Sequence, residues 1–325
     1  MNSMRAAVLS SPGGPETLQL QTVPIPVPQP AQVLIRIKAF GLNRSELFTR
    51  LGYSPGVQLP RVLGIEAVGV VEKSPSGEFR QGETVATVMG GMGREFDGSY
   101  AEYTCVPSNQ VQAIRTKLPW ETLGAIPEML QTAWGSLFKA LSLERGERLL
   151  VRGGTTSVGL AATSIAKKFG AMVSSTTRSQ ARESLLRKSG SEHVFIDSGS
   201  IAQDVRNVFP EGVDKVLELV GVTSLRDSLR CVRQGGIVCM TGMVGNKWSF
   251  ENFEPMEVIP TAVCLTTYAG GVADFMSMPF QDLVNQIETG ELPVQVGKVF
   301  RLDEIVEAHL AMETNQGGGK IVVIP

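Results

Sequence analysis

A run of small and hydroxyl-bearing residues, Gly153-Gly154-Thr155-Thr156-Ser157-Val158-Gly159, follows the short apolar run Arg148 to Arg152 (RLLVR) and opens a helical pattern from Val158 to Phe169. A dinucleotide's pyrophosphate needs backbone N–H groups at a helix N-terminus and small residues that permit close approach. Gly154 and Gly159 fit G-x-G-x-x-G, while Thr156 replaces the middle glycine. About twenty residues on, an NAD-binding unit carries an acidic residue for the ribose 2′-hydroxyl. This chain has Ser174-Ser175-Thr176-Thr177-Arg178 there, with no carboxylate to repel a phosphate. Arg178 can hold a 2′-phosphate bidentately with help from the hydroxyls of Ser175 and Thr177, which favours NADPH over NADH; the alternative is a solvated arginine at a strand end. Metal chemistry is poorly supplied. The two histidines, His193 and His309, have no cysteine close in sequence, and Cys105, Cys231, Cys239 and Cys264 show no C-x-x-C spacing. Zinc is not expected, and the cysteines read as buried reduced thiols.

These residues need elements to position them. From Glu147 onward, short apolar runs alternate with amphipathic helical segments: Arg148 to Arg152, Ala171 to Thr176, His193 to Asp197, Val213 to Gly221 and Gly236 to Thr241 read as strands, with helices at Val158 to Phe169 and from about Ile201 and Ser224. Such alternation predicts a parallel, doubly wound sheet. The first hundred or so residues read instead as short strands between turns: Arg5 to Leu9, Val33 to Ala39, Glu66 to Glu72, Thr84 to Val88 and Ser99 to Val106. Pro24 to Pro30 suits an extended connector, and Glu121 to Leu141 a helix interrupted at Pro127. A helix over Gln281 to Thr289, a strand near Val299, a helix over Asp303 to Met312 and a closing strand over Lys320 to Ile324 form a tail too short for its own domain. It is expected to return to the N-terminal β domain.

Length and composition agree with two domains. The chain has 325 residues, 42% hydrophobic and 19% charged, with a net charge of -2. No basic excess points to nucleic acid or an anionic membrane. No apolar stretch of spanning length occurs, and the N-terminus (MNSMRAAVLSSPGG) reaches glycine and proline before any signal-like apolar core, so a cytoplasmic location is expected.

Over essentially its whole length the sequence resembles the medium-chain dehydrogenase/reductase superfamily, and within it the zinc-free quinone oxidoreductase branch. The resemblance is carried by MRAAVL, Asn43 to Tyr53 (NRSELFTRLGY), Gly64-Ile65-Glu66, Gln81 to Val85, Gly98 to Tyr103 (GSYAEY), Gln131 to Trp134 (QTAW), the glycine loop and Gly319 to Val323. It implies an α/β protein: a GroES-like, mostly β catalytic domain over 1–122, completed by 269–325, and a Rossmann doubly wound parallel sheet domain for NADPH over 123–268. In the zinc alcohol dehydrogenases a Cys stands at the position of Asn43 and a His at that of Ile65. Met89 to Cys105 holds one cysteine where they carry a four-cysteine lobe.

Without a Lewis acid, alcohol oxidation is disfavoured, whereas a quinone or an α,β-unsaturated carbonyl accepts hydride if it is held against the nicotinamide. By resemblance, Tyr53 is placed to hydrogen-bond the developing oxyanion and donate a proton, or else lines the pocket without proton transfer. Asn43 is placed at the nicotinamide ribose, Thr132 at the nicotinamide, and Gly242, Met243, Thr267 and Tyr268 at the carboxamide. Asn315 and Lys320 are placed to close over the ribose. Asp197 stands where several relatives place a tyrosine against the adenine. The reading is therefore an NADPH-dependent reductase of quinones or of enal and enone double bonds. An enoyl-thioester reductase and a cofactor-binding protein with little turnover are the alternatives. A homodimer is expected through the edge strand near Val263 to Thr267.

Overall fold

The structure, a computed structural model, describes residues 2–325 and divides into two units, Met1–Glu128 with Gly271–Pro325, and Met129–Gly270. In chain order the strands are β1 (Ser3–Leu9), β2 (Leu18–Pro24), β3 (Gln32–Gly41), β4 (Arg61–Val62), β5 (Glu66–Lys73), β6 (Thr84–Val88), β7 (Tyr103–Pro107), β8 (Val111–Ala113), β9 (Arg148–Arg152), β10 (Met172–Thr177), β11 (His193–Ile196), β12 (Val213–Glu218), β13 (Val232–Met240), β14 (Cys264–Thr267), β15 (Val296–Arg301) and β16 (Lys320–Ile324). The helices are α1 (Arg44–Arg50), α2 (Trp120–Ala125), α3 (Pro127–Trp134), α4 (Ser157–Phe169), α5 (Glu183–Lys188), α6 (Ala202–Val208), α7 (Val222–Cys231), α8 (Pro255–Val258), α9 (Val272–Ser277), α10 (Phe280–Glu288) and α11 (Ile305–Glu313).

In the first unit β3 is the hub. It pairs antiparallel with β5, β7 and β16, and β16 continues to β15 in a sheet ordered β15-β16-β3-β5-β6-β8. The period of two along Val33, Ile35 and Ile37 is the cause, since alternate side chains fall on one face and all three are buried. Val33 and Ile35 pack with Val71, Val85, Met92 and Val106. The strand expected over Ser99 to Val106 is shorter. Only Tyr103–Pro107 joins the ladder, and Ala101 makes an isolated bridge to Ala6. β2, β4, β8, α1, α5, α8 and α9 lie outside the sequence expectation.

The second unit is a six-stranded, wholly parallel sheet in the order β11-β10-β9-β12-β13-β14. Strand order reverses beside β9, which is where ligands enter doubly wound sheets. Leu150, Val216 and Val238 pack with Leu225 and Leu229 of α7. Helix α2 stops before Pro127, α3 begins on it, and the chain continues as a π-helix over Gly135–Ala140. A proline has no N–H to give to the preceding turn, so the break falls where the sequence places it.

Candidate functional site

At the carboxyl edge of the parallel sheet, the loop after β9 turns through Gly153 (φ +83°) and enters α4. Thr156 caps that helix: its Oγ1 accepts from Gly159 N–H at 3.0 Å and donates to Gly153 O at 2.9 Å. The replacement of the middle glycine therefore supplies a cap. A Cβ on Gly154 would lie 2.8 Å from Ser175 Cβ, and one on Gly159 would lie 2.6 Å from Gly153 O. Both glycines are required for the close packing of the loop, and with Thr155, Ser157 and Val158 they make a small-residue helix start of the kind that could hold a pyrophosphate.

Along the same edge, β10 ends in Thr177, which is buried, and is followed by Arg178, which is exposed. The Thr177 hydroxyl donates to Ser179 O at 3.2 Å, shaping the turn that carries Arg178. Ser175, expected at the cofactor, is turned into the interior, because its hydroxyl is engaged by Ser191 (2.7 Å) and Thr163 (3.1 Å). Gly242 and Met243 follow β13, next to Leu219 of the preceding loop, and Thr241 Oγ1 lies 2.9 Å from Ser136 Oγ. Thr267 ends β14. The following Tyr268 is buried, with its ring against Gly135, where a Cβ would come within 2.0 Å. Thr132 is half-buried on α3.

The sequence does not reveal the ion cluster beneath this edge. Arg152, at the end of β9 and fully buried, gives Nε and Nη2 to the two carboxylate oxygens of Asp197, each at 2.9 Å, and Nη1 to Asp227 at 2.7 Å. Burial opposes its charge, but the Asp197, Glu218 and Asp227 carboxylates outweigh burial and hold its pKa above the usual value. An arginine closing a strand whose three central residues are apolar is the one legible signal; its partners come from the residue after β11, the end of β12 and α7.

The first unit gathers other expected residues. Asn43 caps α1, where Glu46 reaches back to its N–H at 2.6 Å. Asn43 Nδ2 donates to Glu66 Oε1 at 2.9 Å, and its Oδ1 accepts from Lys320. The Lys320 ammonium is buried 2.8 Å from Glu66 and 3.6 Å from Glu128. Burial would lower its pKa, and the Glu66 and Glu128 carboxylates overcome that and raise it. Asn315, in the left-handed region (φ +57°), accepts from Arg44 Nη2 at 2.6 Å. Asn43, Asn315 and Lys320, far apart in sequence, are thus tied to one helix and its surroundings. Tyr53 is exposed at 60% on the turn after α1, with its ring centroid 6.4 Å from that of Phe48.

A buried triad lies behind α1. The Tyr100 hydroxyl donates to Glu46 at 2.9 Å and stands 2.9 Å from His309 Nε2. With Glu46 ionised, the single Tyr100 proton goes to Glu46 and Tyr100 receives the His309 bond from Nε2; with Glu46 protonated, the carboxyl can donate to Tyr100 instead. Burial raises Glu46 to about 7 against the Asn43 and Ile65 N–H donors, and lowers His309 to about 3 with help from Arg50. His309 is thus a packed, neutral residue. Two cysteine expectations need correction: Cys231 and Cys239 are buried, but Cys105 is half-buried and Cys264 is exposed on the edge strand. The Cys105 thiol is pushed up to about 11 by burial. Among the described residues, no three His, Cys, Asp or Glu side chains are grouped to hold a metal.

The fold defines a doubly wound α/β unit and a strand-rich unit. Residues 29–116 match the alcohol dehydrogenase GroES-like domain, and residues 189–323 match the family described as zinc-binding dehydrogenase. The chain is similar to quinone oxidoreductase from Lama guanicoe, with 29% identity covering 99% of this chain and 97% of that protein. It is also similar to quinone oxidoreductase from Homo sapiens, with 27% identity over 99% and 98%. A mycobacterial protein, Rv1454c, solved in complex with NADPH, superposes with a TM-score of 0.89 at 25% identity, covering 99% of this chain and 100% of that one. The two family matches and these relatives support the medium-chain dehydrogenase/reductase superfamily, in its quinone oxidoreductase branch, a family of oxidoreductases that bind nicotinamide cofactors.

Proposed function

We propose that the protein is a zinc-independent, NADPH-dependent reductase of quinones or of α,β-unsaturated carbonyl compounds. The carrying observation is a carboxyl edge that presents the Gly153–Gly159 cradle beside an exposed Arg178, while the Asn43 side chain is committed to Glu66 and Lys320. When bound, the nicotinamide supplies hydride to an electron-poor acceptor. Gly154, Thr155, Thr156, Ser157, Val158 and Gly159 hold the pyrophosphate, and Thr177 and Arg178 hold the 2′-phosphate. Thr132, Gly242, Met243, Thr267 and Tyr268 line the nicotinamide side. Asn43 and Asn315 take the ribose side, and Lys320 acts there through Asn43. Tyr53 donates the proton that follows hydride transfer. Asn43 and Ile65 do not form a zinc site, so positioning and exclusion of water carry the catalysis. A homodimer through the β14 edge and a cytoplasmic location complete the reading.

The test follows NADPH oxidation by its nicotinamide absorbance with a quinone, a 2-alkenal and an enoyl thioester in parallel. Turnover with the first two supports the reading. Turnover confined to the thioester makes the protein an enoyl-thioester reductase, and turnover with none makes it a cofactor-binding protein.

A further inference from the structure

Asp197 follows β11 directly, and its N–H donates to Thr177 O at 2.8 Å, so a carboxylate stands on the strand end next to the one that carries Arg178. A free carboxylate on this rim would favour an unphosphorylated ribose, repel a 2′-phosphate and compete for Arg178. This carboxylate is not free. Arg152 engages both oxygens at 2.9 Å, Gly199 N–H donates to Oδ1 at 2.9 Å, and the side chain is only 9% exposed. Thr176 Oγ1, 3.5 Å from Oδ2, also accepts from Gly153 N–H at 3.0 Å, linking the pair to the first turn of the glycine loop. Burial works against the Asp197 charge, yet the Arg152 guanidinium keeps its pKa below the usual carboxylate value. Neutralisation thus comes from below the rim, by a residue that is itself fully buried.

We propose that Arg152 is a positioning residue that sets cofactor specificity without touching the cofactor: by engaging both oxygens of Asp197 it withdraws from the rim the carboxylate that would oppose the 2′-phosphate of NADPH. The proposal rests on the NADPH reading above. Its test is the dissociation constants of NADPH and NADH, measured at low ionic strength for the wild type, Arg152→Met and Arg152→Met/Asp197→Asn. The wild type binds NADPH more tightly. Arg152→Met releases Asp197 and lowers the NADPH-over-NADH preference by about ten-fold, the scale of a partly screened charge interaction. Removing the carboxylate in the double variant restores the preference to within about three-fold of wild type. Equal weakening of both cofactors in Arg152→Met, or no restoration in the double variant, overturns the proposal, because a merely structural arginine would behave so. If Arg152→Met does not fold, Asp197→Asn alone decides: a preference within about three-fold of wild type supports neutralisation, and a ten-fold rise overturns it. A wild type that binds NADH as tightly as NADPH refutes the NADPH reading itself, before any variant is measured, and the proposal falls with it.

Discussion

Lys320→Met preserves the stem and removes the ammonium from a pocket in which Glu66 is wholly buried. Glu66 keeps the Asn43 Nδ2 and Glu128 N–H donors, both at 2.9 Å, but loses its countercharge at 2.8 Å. Breaking one side of a buried ion pair costs about 3–5 kcal/mol, because the remaining charge stays desolvated. For a unit of roughly 150–250 residues, about 2–4 °C of Tm accompanies each kcal/mol, so the transition of the first unit is expected to fall by about 6–20 °C. Adding Glu66→Gln removes the stranded charge and keeps an amide oxygen for one of the two donors, which meet different carboxylate oxygens, and should recover part of the loss. Scanning calorimetry of the wild type, the single and the double variants at pH 7.5 checks this. A loss below about 1 kcal/mol in the single variant would show that water reaches Glu66 and that the pair is dispensable. A double variant as unstable as the single would show that Lys320 matters for packing and not for charge.

Arg178→Ala should weaken NADPH about ten- to a hundred-fold and NADH little, as fits the loss of a charged hydrogen bond of about 1.5–3 kcal/mol; equal weakening of both in titration calorimetry would make the arginine structural. Tyr53→Phe should lower kcat about ten-fold or more with a 2-alkenal and less with a quinone, whose reduced anion takes its proton from solvent; near-unit effects on both acceptors in steady-state assays would reduce Tyr53 to a pocket wall. Elemental analysis of the purified protein should find no stoichiometric zinc, with activity kept in chelator; about one zinc per chain would contradict the reading of Asn43 and Ile65. Glu46, raised from 4.5 to about 7, contributes stability that is present below pH 4.5 and lost as pH rises through 7, whereas His309, lowered from 6.5 to about 3, contributes stability present above pH 6.5 and lost as pH falls toward 3. The two slopes oppose between pH 4.5 and 6.5, so Glu46→Gln should make Tm climb more steeply with pH across that window; a melting profile parallel to wild type would refute the Glu46 assignment.

The sequence by itself determined the parallel sheet and the glycine loop. Their signals are local: an apolar run of strand length, two glycines at a fixed interval and a helical period written contiguously from Arg148 to Phe169. The break at Pro127 was legible for the same reason, since a missing N–H acts on its own turn. Tertiary structure alone decided which polar residues are spoken for. Ser175 looks available in the run Ser174 to Thr177, and only its packing against Ser191 and Thr163 turns it inward. Arg152 and Asp197 are 45 residues apart, and Lys320 and Asn43 are 277 apart, so neither pairing is written in any spacing. Hydrogen bonds and ion pairs form between groups that the fold brings within about 3 Å, and burial decides whether such contacts fix a side chain or leave it to solvent. The same geometry separates Arg178, exposed at the end of β10, from Arg152, buried at the end of β9, although sequence offers both as arginines closing a strand.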